Sequence, residues 1–327
     1  MKVAILGAAH QHVDYALTEV AHRDELELVG ASEPDPDLRA RFLGKLEVPL
    51  YETAEELLSA HDVDVALIAG IYSARAAATV AALDAGAHVL ADKPLCTSLE
   101  QLAQIREAAA RSRRHVSIVF EKRFYSPTLA LRRLLADGEL GEISLIASTG
   151  PHKLNRDARP AWFLDPATYG GIAGDLPIHD IDLVLDLAGA AHGTVSARTG
   201  RALADPKVGI EDHVALLLHA GSVSATIEAN WLAPQASEVH GHYRMRVTGT
   251  RGTAEVDWAF QRLTVTTHDR ATWEPPLPEA PRPAQYFFDA LRAGRAPEIT
   301  TTASLLATEV ALNAQASAGA GGEVRSF

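Results

Sequence analysis

A lysine stands at the end of an apolar segment, directly before a proline, in the stretch ADKPLCTSLE (residues 91–100). Lys93 follows Asp92 and the run Val89–Ala91, which has the composition of a buried strand. An ammonium group held at a strand end can stabilise negative charge that develops on a bound oxygen atom. A surface lysine in a strand-to-helix loop is the plain alternative, and the tripeptide alone does not decide between the two.

A second group of polar residues occurs in GDLPIHDID (174–182). Pro177 suits the first turn of a helix, which places Asp175 at or just before the helix start and His179 one turn in. Imidazole exchanges protons near neutral pH, and oxidation of a secondary alcohol by hydride transfer requires that the hydroxyl proton be removed. His179 is therefore a candidate base in oxidation and acid in reduction. A helix-cap histidine and an ordinary N-cap aspartate are the structural alternatives.

The next acidic residues of this segment, Asp180, Asp182 and Asp186, are predicted to serve the helix surface or bonds between domains.

The loop GAAHQH (7–12) follows the first apolar segment. A dinucleotide site favours three glycines here, for the turn, for the approach of the pyrophosphate and for helix packing. Gly7 keeps the first, Ala8 and Ala9 are small enough for a close approach, and His10 and Gln11 complete the loop.

His10 and His12 also form a His-x-His pair that can chelate a metal. A zinc site needs three or four ligands, and no His/Cys cluster of suitable spacing accompanies the pair, so no metal site is predicted. Packing or capping at a helix start is the remaining alternative for the two histidines.

Glu33 ends the second apolar segment, where an acidic residue can bond a ribose hydroxyl. Its charge repels the extra phosphate of NADP, so NAD is the expected cofactor and NADP is disfavoured. A solvated acid in the turn EPDPD is the alternative interpretation.

Strands and helices alternate in the first third of the chain. Apolar strands are predicted over 2–7, 26–32, 63–70, 88–92 and 115–120, and helices over 12–22, from the capping residue Thr53, over 74–85 and from Ser98. This alternation predicts a parallel sheet that is covered on both faces and binds its ligand at the carboxyl ends of the strands.

The pattern changes after residue 142. Strands are predicted over 142–149, 194–203, 212–219, 222–230, 242–249, 253–257 and 262–267, with one helix near 177–188. A proline-rich connector (274–283) and two helices, 284–293 and 301–317, follow. A second domain with a mostly antiparallel sheet is therefore expected.

The composition excludes several classes of partner. The chain has 327 residues, 47% hydrophobic and 22% charged, with a net charge of −12 and one cysteine. The negative charge disfavours nucleic acid and anionic membranes as partners. The sequence shows neither a signal peptide nor an apolar stretch of about 20 residues, so a cytoplasmic location is expected.

Several ordered motifs resemble those of the glucose–fructose oxidoreductase / inositol dehydrogenase / rhizopine-catabolism (GFO/IDH/MocA) family. They are AGAHVLADKPL (85–95), VALIAGIYSARAAATVAALDAG (65–86), EKRFYSPTLALRRLLADGELGEI (121–143), GGIAGDLPIHDIDLVLDLAG (170–189), VTGTRGTAEVDW (247–258) and FFDALRAGRAPEITTTASLLATEVA (287–311). Because these motifs occur in order over nearly the whole chain, the resemblance is more specific than any one of them.

The resemblance implies a fold and a chemistry. The fold is a doubly wound Rossmann domain (1–122) followed by an α+β domain with an open, mostly antiparallel sheet (123–327), and the resemblance leaves open whether the closing helices pack back on the first domain. The implied enzyme is an NAD(P)-dependent dehydrogenase acting on a hydroxyl or keto carbon of a sugar, sugar derivative or cyclitol. The family's catalytic lysine falls on Lys93, and its motif aspartate and histidine fall on Asp175 and His179.

The chain departs from the family pattern after the third predicted strand. Thr/Pro/Asn and a histidine are common there, whereas this chain has Gly70, Ile71, Tyr72 and then Arg75. Tyr72 is expected beside the nicotinamide, and Arg75 is expected to contact the cofactor or an anionic substrate group. Asp92 replaces the usual glutamate and is counted among the cofactor-binding residues.

The substrate-binding residues and the assembly are less defined by the sequence. Trp162 and His152 are the predicted substrate contacts. An open sheet face favours a homodimer or homotetramer. Two other functions stay open, a non-catalytic NAD-dependent sensor of the same fold and a lyase or glycosidase-like enzyme that oxidises its substrate transiently with bound NAD.

Overall fold

The apolar segments of the first 119 residues form a parallel sheet of six strands. The strands are β1 (Lys2–Ala8), β2 (Glu27–Ser32), β3 (Leu50–Tyr51), β4 (Val65–Ala69), β5 (His88–Ala91) and β6 (Val116–Ile118). Five helices connect them: α1 (Val13–His22), α2 (Pro36–Leu43), α3 (Ala54–Ala60), α4 (Arg75–Asp84) and α5 (Leu99–Ser112). The strand order β3-β2-β1-β4-β5-β6 reverses between β1 and β4, which is where such sheets bind ligands.

Local sequence signals fix the ends of these helices. The Thr53 hydroxyl accepts the backbone N–H of Glu56, and the Glu56 carboxylate accepts the backbone N–H of Thr53, so the predicted capping box begins α3. Ser98 caps α5 through the backbone N–H of Gln101. Gly86 takes a positive φ of 86° just after α4, as expected of a glycine that stops a helix.

The rest of the chain contains an eight-stranded sheet and six α-helices among the described residues. The strands are β7 (Ile143–Pro151), β8 (Gly193–Gly200), β9 (His213–Ala220), β10 (Val223–Asn230), β11 (Arg244–Gly249), β12 (Gly252–Asp257), β13 (Arg262–Thr267) and β14 (Arg325–Ser326). The helices are α6 (Ser126–Ala136), α7 (Pro166–Tyr169), α8 (Ile172–Asp175), α9 (Ile178–Ala188), α10 (Gln285–Arg292) and α11 (Thr301–Gly319). The strand order is β13-β12-β11-β7-β10-β9-β8-β14. Within this eight-stranded sheet, β7 and β10 are the one parallel pair among the described residues, and the other pairs are antiparallel.

Helix α9 packs on the sheet at β7, β9 and β10. Alternate residues of the strands point toward the helix, so that β9 is buried at every second position, as an antiparallel sheet with one covered face requires. The other face of these strands is exposed at Leu145 and Leu217.

The computed structural model describes residues 1–205 and 207–327 and divides into two compact units. The first unit comprises 1–119, 166–170 and 282–308, and therefore contains α10 and the first turns of α11. The second unit comprises 120–165, 171–281 and 309–327. Within the described ranges, no helix combines the length and the apolar composition needed to cross a lipid bilayer.

Candidate active site

The loop after β1 approaches the end of β4 very closely. Gly7 has a φ of +82°, and a Cβ atom at this position would lie 2.7 Å from the Cα atom of Gly70. The backbone N–H groups of Ala9 and His10 both donate to the carbonyl oxygen of Ala69, at 2.8 and 3.2 Å. The small residues of the loop therefore hold it against β4, at the point where the strand order reverses.

Glu33, just after β2, accepts a hydrogen bond from the same loop. Its Oε2 atom accepts the backbone N–H of Ala8 at 2.7 Å, and Oε1 accepts the backbone N–H of Asp35 at 3.1 Å. Burial raises the pKa of this carboxyl group, while the two N–H donors act in the opposite direction. The fold thus brings Glu33 to Gly7, and contact of its carboxylate with a ribose stays a prediction.

The two loop histidines converge on Asp92, which follows β5. His12 Nδ1 lies 2.8 Å from Asp92 Oδ1, and His10 Nδ1 lies 3.2 Å from Asp92 Oδ2. The ring of His12 also stacks on Tyr15 at 4.7 Å between centroids. Burial lowers the pKa of His10 to about 4, so this imidazole is neutral at physiological pH.

Asp92 adds a third candidate metal ligand to His10 and His12, which sequence spacing does not show. The ligand atoms of His10, His12 and Asp92 lie within 4.8 Å of one another. However, the Arg75 guanidinium is 2.8 Å from Asp92 Oδ2 and already neutralises the carboxylate. Burial raises the pKa of Asp92, but Arg75 and the two histidines outweigh it and hold that pKa well below its usual range. A metal cation bound to this carboxylate would be repelled by the positive charge of Arg75.

Arg75 lies inside the first unit, with 1% of its surface exposed. Its guanidinium donates to Asp92 and to the carbonyl oxygens of Gly70 and Pro94. The side chain was expected to reach the cofactor or an anionic substrate group, and the structure gives it these protein acceptors. Tyr72 is buried as well, between the Arg75 guanidinium at 4.5 Å and the ring of Tyr169 at 5.8 Å. Ile71, beside it, is half-buried.

Lys93 is 6% exposed and stands one residue beyond Asp92, whose backbone N–H extends the β5–β4 ladder to Ile68. The Lys93–Pro94 peptide bond is cis. Gly7 therefore lies at the carboxyl end of β1, and Glu33, Gly70 and Lys93 follow the carboxyl ends of β2, β4 and β5, as the sequence predicts.

In the second unit, Asp175 and His179 are both buried around the start of α9. Pro177 is the N-cap of α9, and Asp175 is the last residue of the short helix α8. His179 Nδ1 lies 3.6 Å from Glu121 Oε2, and the ring of Phe120 meets the imidazole edge-on at 6.0 Å. Glu121 was missed from the sequence, because 58 residues separate it from His179.

The acidic residues that follow His179 form buried ion pairs. Lys122 Nζ is 2.9 Å from both carboxylate oxygens of Asp180, and Arg123 contacts Asp182 at 2.6 Å. Arg123 and Arg132 both contact Asp186. These aspartates were expected at the helix surface or in bonds between domains. The surface role is wrong for Asp180 and Asp182, which are buried and pair with Lys122 and Arg123.

His152 and Trp162 lie near other aromatic side chains of the second unit. The ring of His152, just after β7, lies 4.6 Å from Tyr243 and 5.4 Å from Trp231, which follows β10. Trp162 contacts Phe163, and the Arg159 guanidinium lies over Phe163 and Trp231. His152 and Trp231 follow the carboxyl ends of the parallel pair β7 and β10, and contact of His152 and Trp162 with a substrate stays a prediction.

Comparison with known proteins gives matches along most of the chain. A family model described as an oxidoreductase family with an NAD-binding Rossmann fold matches residues 1–120, and a model of the GFO/IDH/MocA C-terminal domain matches residues 128–255. The bovine trans-1,2-dihydrobenzene-1,2-diol dehydrogenase (Bos taurus) is 28% identical over 79% of this chain and 74% of its own length.

Solved structures superpose on this chain over its whole length. A protein of Thermotoga maritima superposes with a TM-score of 0.92 at 26% identity, covering 100% of both chains. A levoglucosan dehydrogenase in complex with NADH has the same fold, with a TM-score of 0.85 at 18% identity over 100% of this chain and 98% of its own. From these motifs, the strand order and the matched domains, we conclude that the chain belongs to the GFO/IDH/MocA family of NAD-binding oxidoreductases.

Proposed function

We propose that this protein is an NAD-dependent dehydrogenase that oxidises a secondary hydroxyl group of a sugar, a sugar derivative or a cyclic diol, and that reduces the corresponding ketone in the reverse direction. The observation that carries the proposal is the placement of a buried lysine, Lys93, on the sheet edge that also holds Gly7, Glu33 and Gly70. Ligands of doubly wound sheets bind at this edge.

The residues of the first unit fit a dinucleotide. Gly7 and Gly70 leave no room for a Cβ atom between them, so the loop presents its backbone directly, as pyrophosphate binding requires. We assign the cofactor contacts to Gly7, Ala8, Ala9, His10, Gln11, Glu33, Gly70, Ile71, Asp92 and Lys93, whereas the Tyr72 side chain, expected beside the nicotinamide, is fully buried against Arg75. Bound NAD supplies the acceptor for the hydride.

Side chains of the protein then stabilise the charge that develops on the substrate hydroxyl oxygen and transfer its proton. The Lys93 ammonium donates a hydrogen bond to that oxygen and stabilises the negative charge that develops as the hydride leaves. His179 accepts the hydroxyl proton in oxidation and returns it in reduction. Asp175 orients the substrate by bonding a neighbouring hydroxyl, and the Glu121 carboxylate lies 3.6 Å from His179 Nδ1.

Glu33 supports NAD over NADP. Its carboxylate is fixed by two backbone N–H groups at the end of β2, and the extra 2′-phosphate of NADP carries negative charge. We therefore expect the protein to bind NADH at least about tenfold more tightly than NADPH, because a repulsion of about 1.4 kcal/mol suffices for that factor.

The proposal is tested by cofactor titration followed by a substrate panel. NADH and NADPH binding is measured by protein fluorescence. Turnover is then followed at the absorbance of the reduced nicotinamide with trans-1,2-dihydrobenzene-1,2-diol, levoglucosan, D-glucose and myo-inositol as probes. We expect NADH to bind and at least one probe to be oxidised.

Substitution of Lys93 tests whether turnover depends on the candidate active site. Lys93→Ala should lower kcat on the order of a hundredfold while NADH affinity changes little, because it removes a group that acts on the developing charge. Lys45→Ala, at an exposed position, is the control and should match the wild type. Failure of both cofactors to bind at millimolar concentration would refute the oxidoreductase proposal, and unchanged turnover of Lys93→Ala would remove Lys93 from the mechanism.

A further inference from the structure

The Arg75 guanidinium contacts the chain on both sides of Lys93. Nη2 donates to Asp92 Oδ2 at 2.8 Å, just before the lysine, and Nη1 donates to the carbonyl oxygen of Pro94 at 3.0 Å, just after it. Nε donates to the carbonyl oxygen of Gly70 at 2.8 Å. One side chain at the start of α4 therefore joins the end of β4 to the segment that carries Lys93.

These contacts require an arginine. The planar guanidinium presents five N–H donors in a fixed fork, so it can serve three acceptors that lie in different directions. The ring of Tyr72 covers one face of the group at 4.5 Å. A lysine would keep the charge beside Asp92 but has a single nitrogen, which cannot reach the two carbonyl oxygens as well.

The geometry argues against a direct contact between Arg75 and a ligand. Its side chain has no exposed surface, and each of its three nitrogen atoms has a protein acceptor. The Asp92 carboxylate also contacts His10 and His12 of the loop 7–12. Arg75 is therefore connected through Asp92 to that loop, and it also contacts the backbone next to Lys93.

We propose that Arg75 is a positioning residue, which fixes the backbone on either side of Lys93 and thereby aims its ammonium group. The inference rests on the role of Lys93 proposed above. Displacement of a reacting group by about 1 Å can cost on the order of a hundredfold in rate. Loss of the fork should therefore reduce turnover without a comparable loss of coenzyme affinity.

A double-mutant cycle tests this inference. The proteins are the wild type, Arg75→Lys, Lys93→Ala and the double variant, assayed with whichever probe of the panel the wild type oxidises fastest. The measurements are kcat, the pH profile of kcat, the dissociation constant of NADH and the thermal midpoint. Arg23→Lys is the matched control, because Arg23 is also buried in the first unit and pairs with Glu19 instead.

We expect Arg75→Lys to lower kcat roughly ten- to hundredfold and to change its pH profile, with NADH affinity within about threefold of the wild type. In the Lys93→Ala background, the same substitution should change kcat less than about threefold, because the group that it positions is absent. Arg23→Lys should leave kcat within about twofold in either background.

Additive effects on kcat would overturn the inference, as would a tenfold loss of NADH affinity with kcat preserved, which would indicate a direct coenzyme contact. If Lys93→Ala itself keeps full turnover, the role proposed for Lys93 fails and the inference fails with it, and this outcome is distinct from additivity. Should Arg75→Lys fail to fold, Arg75→Gln keeps a hydrogen-bond donor at this position without the guanidinium fork, and the cycle with Lys93→Ala is judged by the same criteria.

Discussion

Gly7 combines two constraints at the end of β1. Its φ of +82° is strained for any residue with a Cβ atom, and that atom would lie 2.7 Å from Gly70 Cα. Ala8 and Ala9 meet no such limit, which explains why the loop retains the first glycine of a dinucleotide motif and replaces the later ones. The backbone of β4 is the obstacle, so the neighbouring strand would have to move before a side chain fitted.

Gly7→Ala tests this packing. We expect the substitution to lower the free energy of unfolding by about 3 kcal/mol, the sum of the left-handed strain and the overlap with β4, and to weaken NADH binding at least tenfold. Gly138→Ala is the matched control, because Gly138 has a φ of +73° with no atom within 4 Å of the added Cβ. The control should lose only about 1–2 kcal/mol, and both values come from urea denaturation. Equal losses in the two variants would mean that the approach to Gly70 is unimportant.

Helix α9 carries His179, and buried charges attach this helix to the segment that follows β6. Lys122 bonds both oxygens of Asp180, and Ser148 on β7 donates to the same carboxylate at 2.6 Å. The Lys122 ammonium also lies 4.7 Å from the ring of Trp258. The start of α9 is therefore fixed by a charge pair that has little access to water.

Lys122→Met removes one member of that pair at nearly constant volume. We expect a loss of about 3–5 kcal/mol in the free energy of unfolding, because Asp180 is then left charged and buried without its cation. Arg244→Met is the control, since its pair with Asp257 is largely exposed and should contribute less than about 1 kcal/mol. Urea denaturation of both variants measures the difference. A loss below about 1 kcal/mol in Lys122→Met would show that the Asp180 carboxylate finds water or a proton instead.

Predictions from the sequence are most accurate where the residues that produce the signal lie close together along the chain. The Thr53 and Ser98 caps and the strand predicted over 212–219 depend on residues within a few positions of one another, and these predictions are confirmed. Strand β3 has only two residues, and α2 has a weakly apolar sequence, so neither produced a pattern that the sequence analysis detected.

The contacts of the candidate site depend on the fold instead. His12 and Asp92 are 80 residues apart, and Lys122 and Asp180 are 58 apart, so no local spacing shows either pair. The parallel sheet predicts that Gly7, Glu33, Gly70 and Lys93 share one edge. It does not predict which side chains turn inward, and for this reason Arg75 was expected at a ligand and lies among protein acceptors.

The eight-stranded sheet leaves one face without a covering layer among the described residues of the second unit. On that face, Leu145 and Leu217 are 56% and 43% exposed. Leu145 pairs with Ser224 of β10, and Leu217 pairs with Thr226 of the same strand, so each leucine has a short polar residue as its partner on β10. An uncovered sheet face with exposed leucines suits a second copy of the chain.

We therefore expect the protein to be a homodimer or homotetramer in solution through this face. Leu145→Lys combined with Leu217→Lys should shift the wild-type oligomer to a smaller species at micromolar concentration in sedimentation velocity, because the lysines of two facing copies repel one another and would lose hydration. Leu50→Lys, at a leucine of β3 that is also 42% exposed, is the control and should leave the sedimentation coefficient unchanged. A monomeric wild type, or a double variant that keeps the wild-type mass, would show that this face is not where the copies associate.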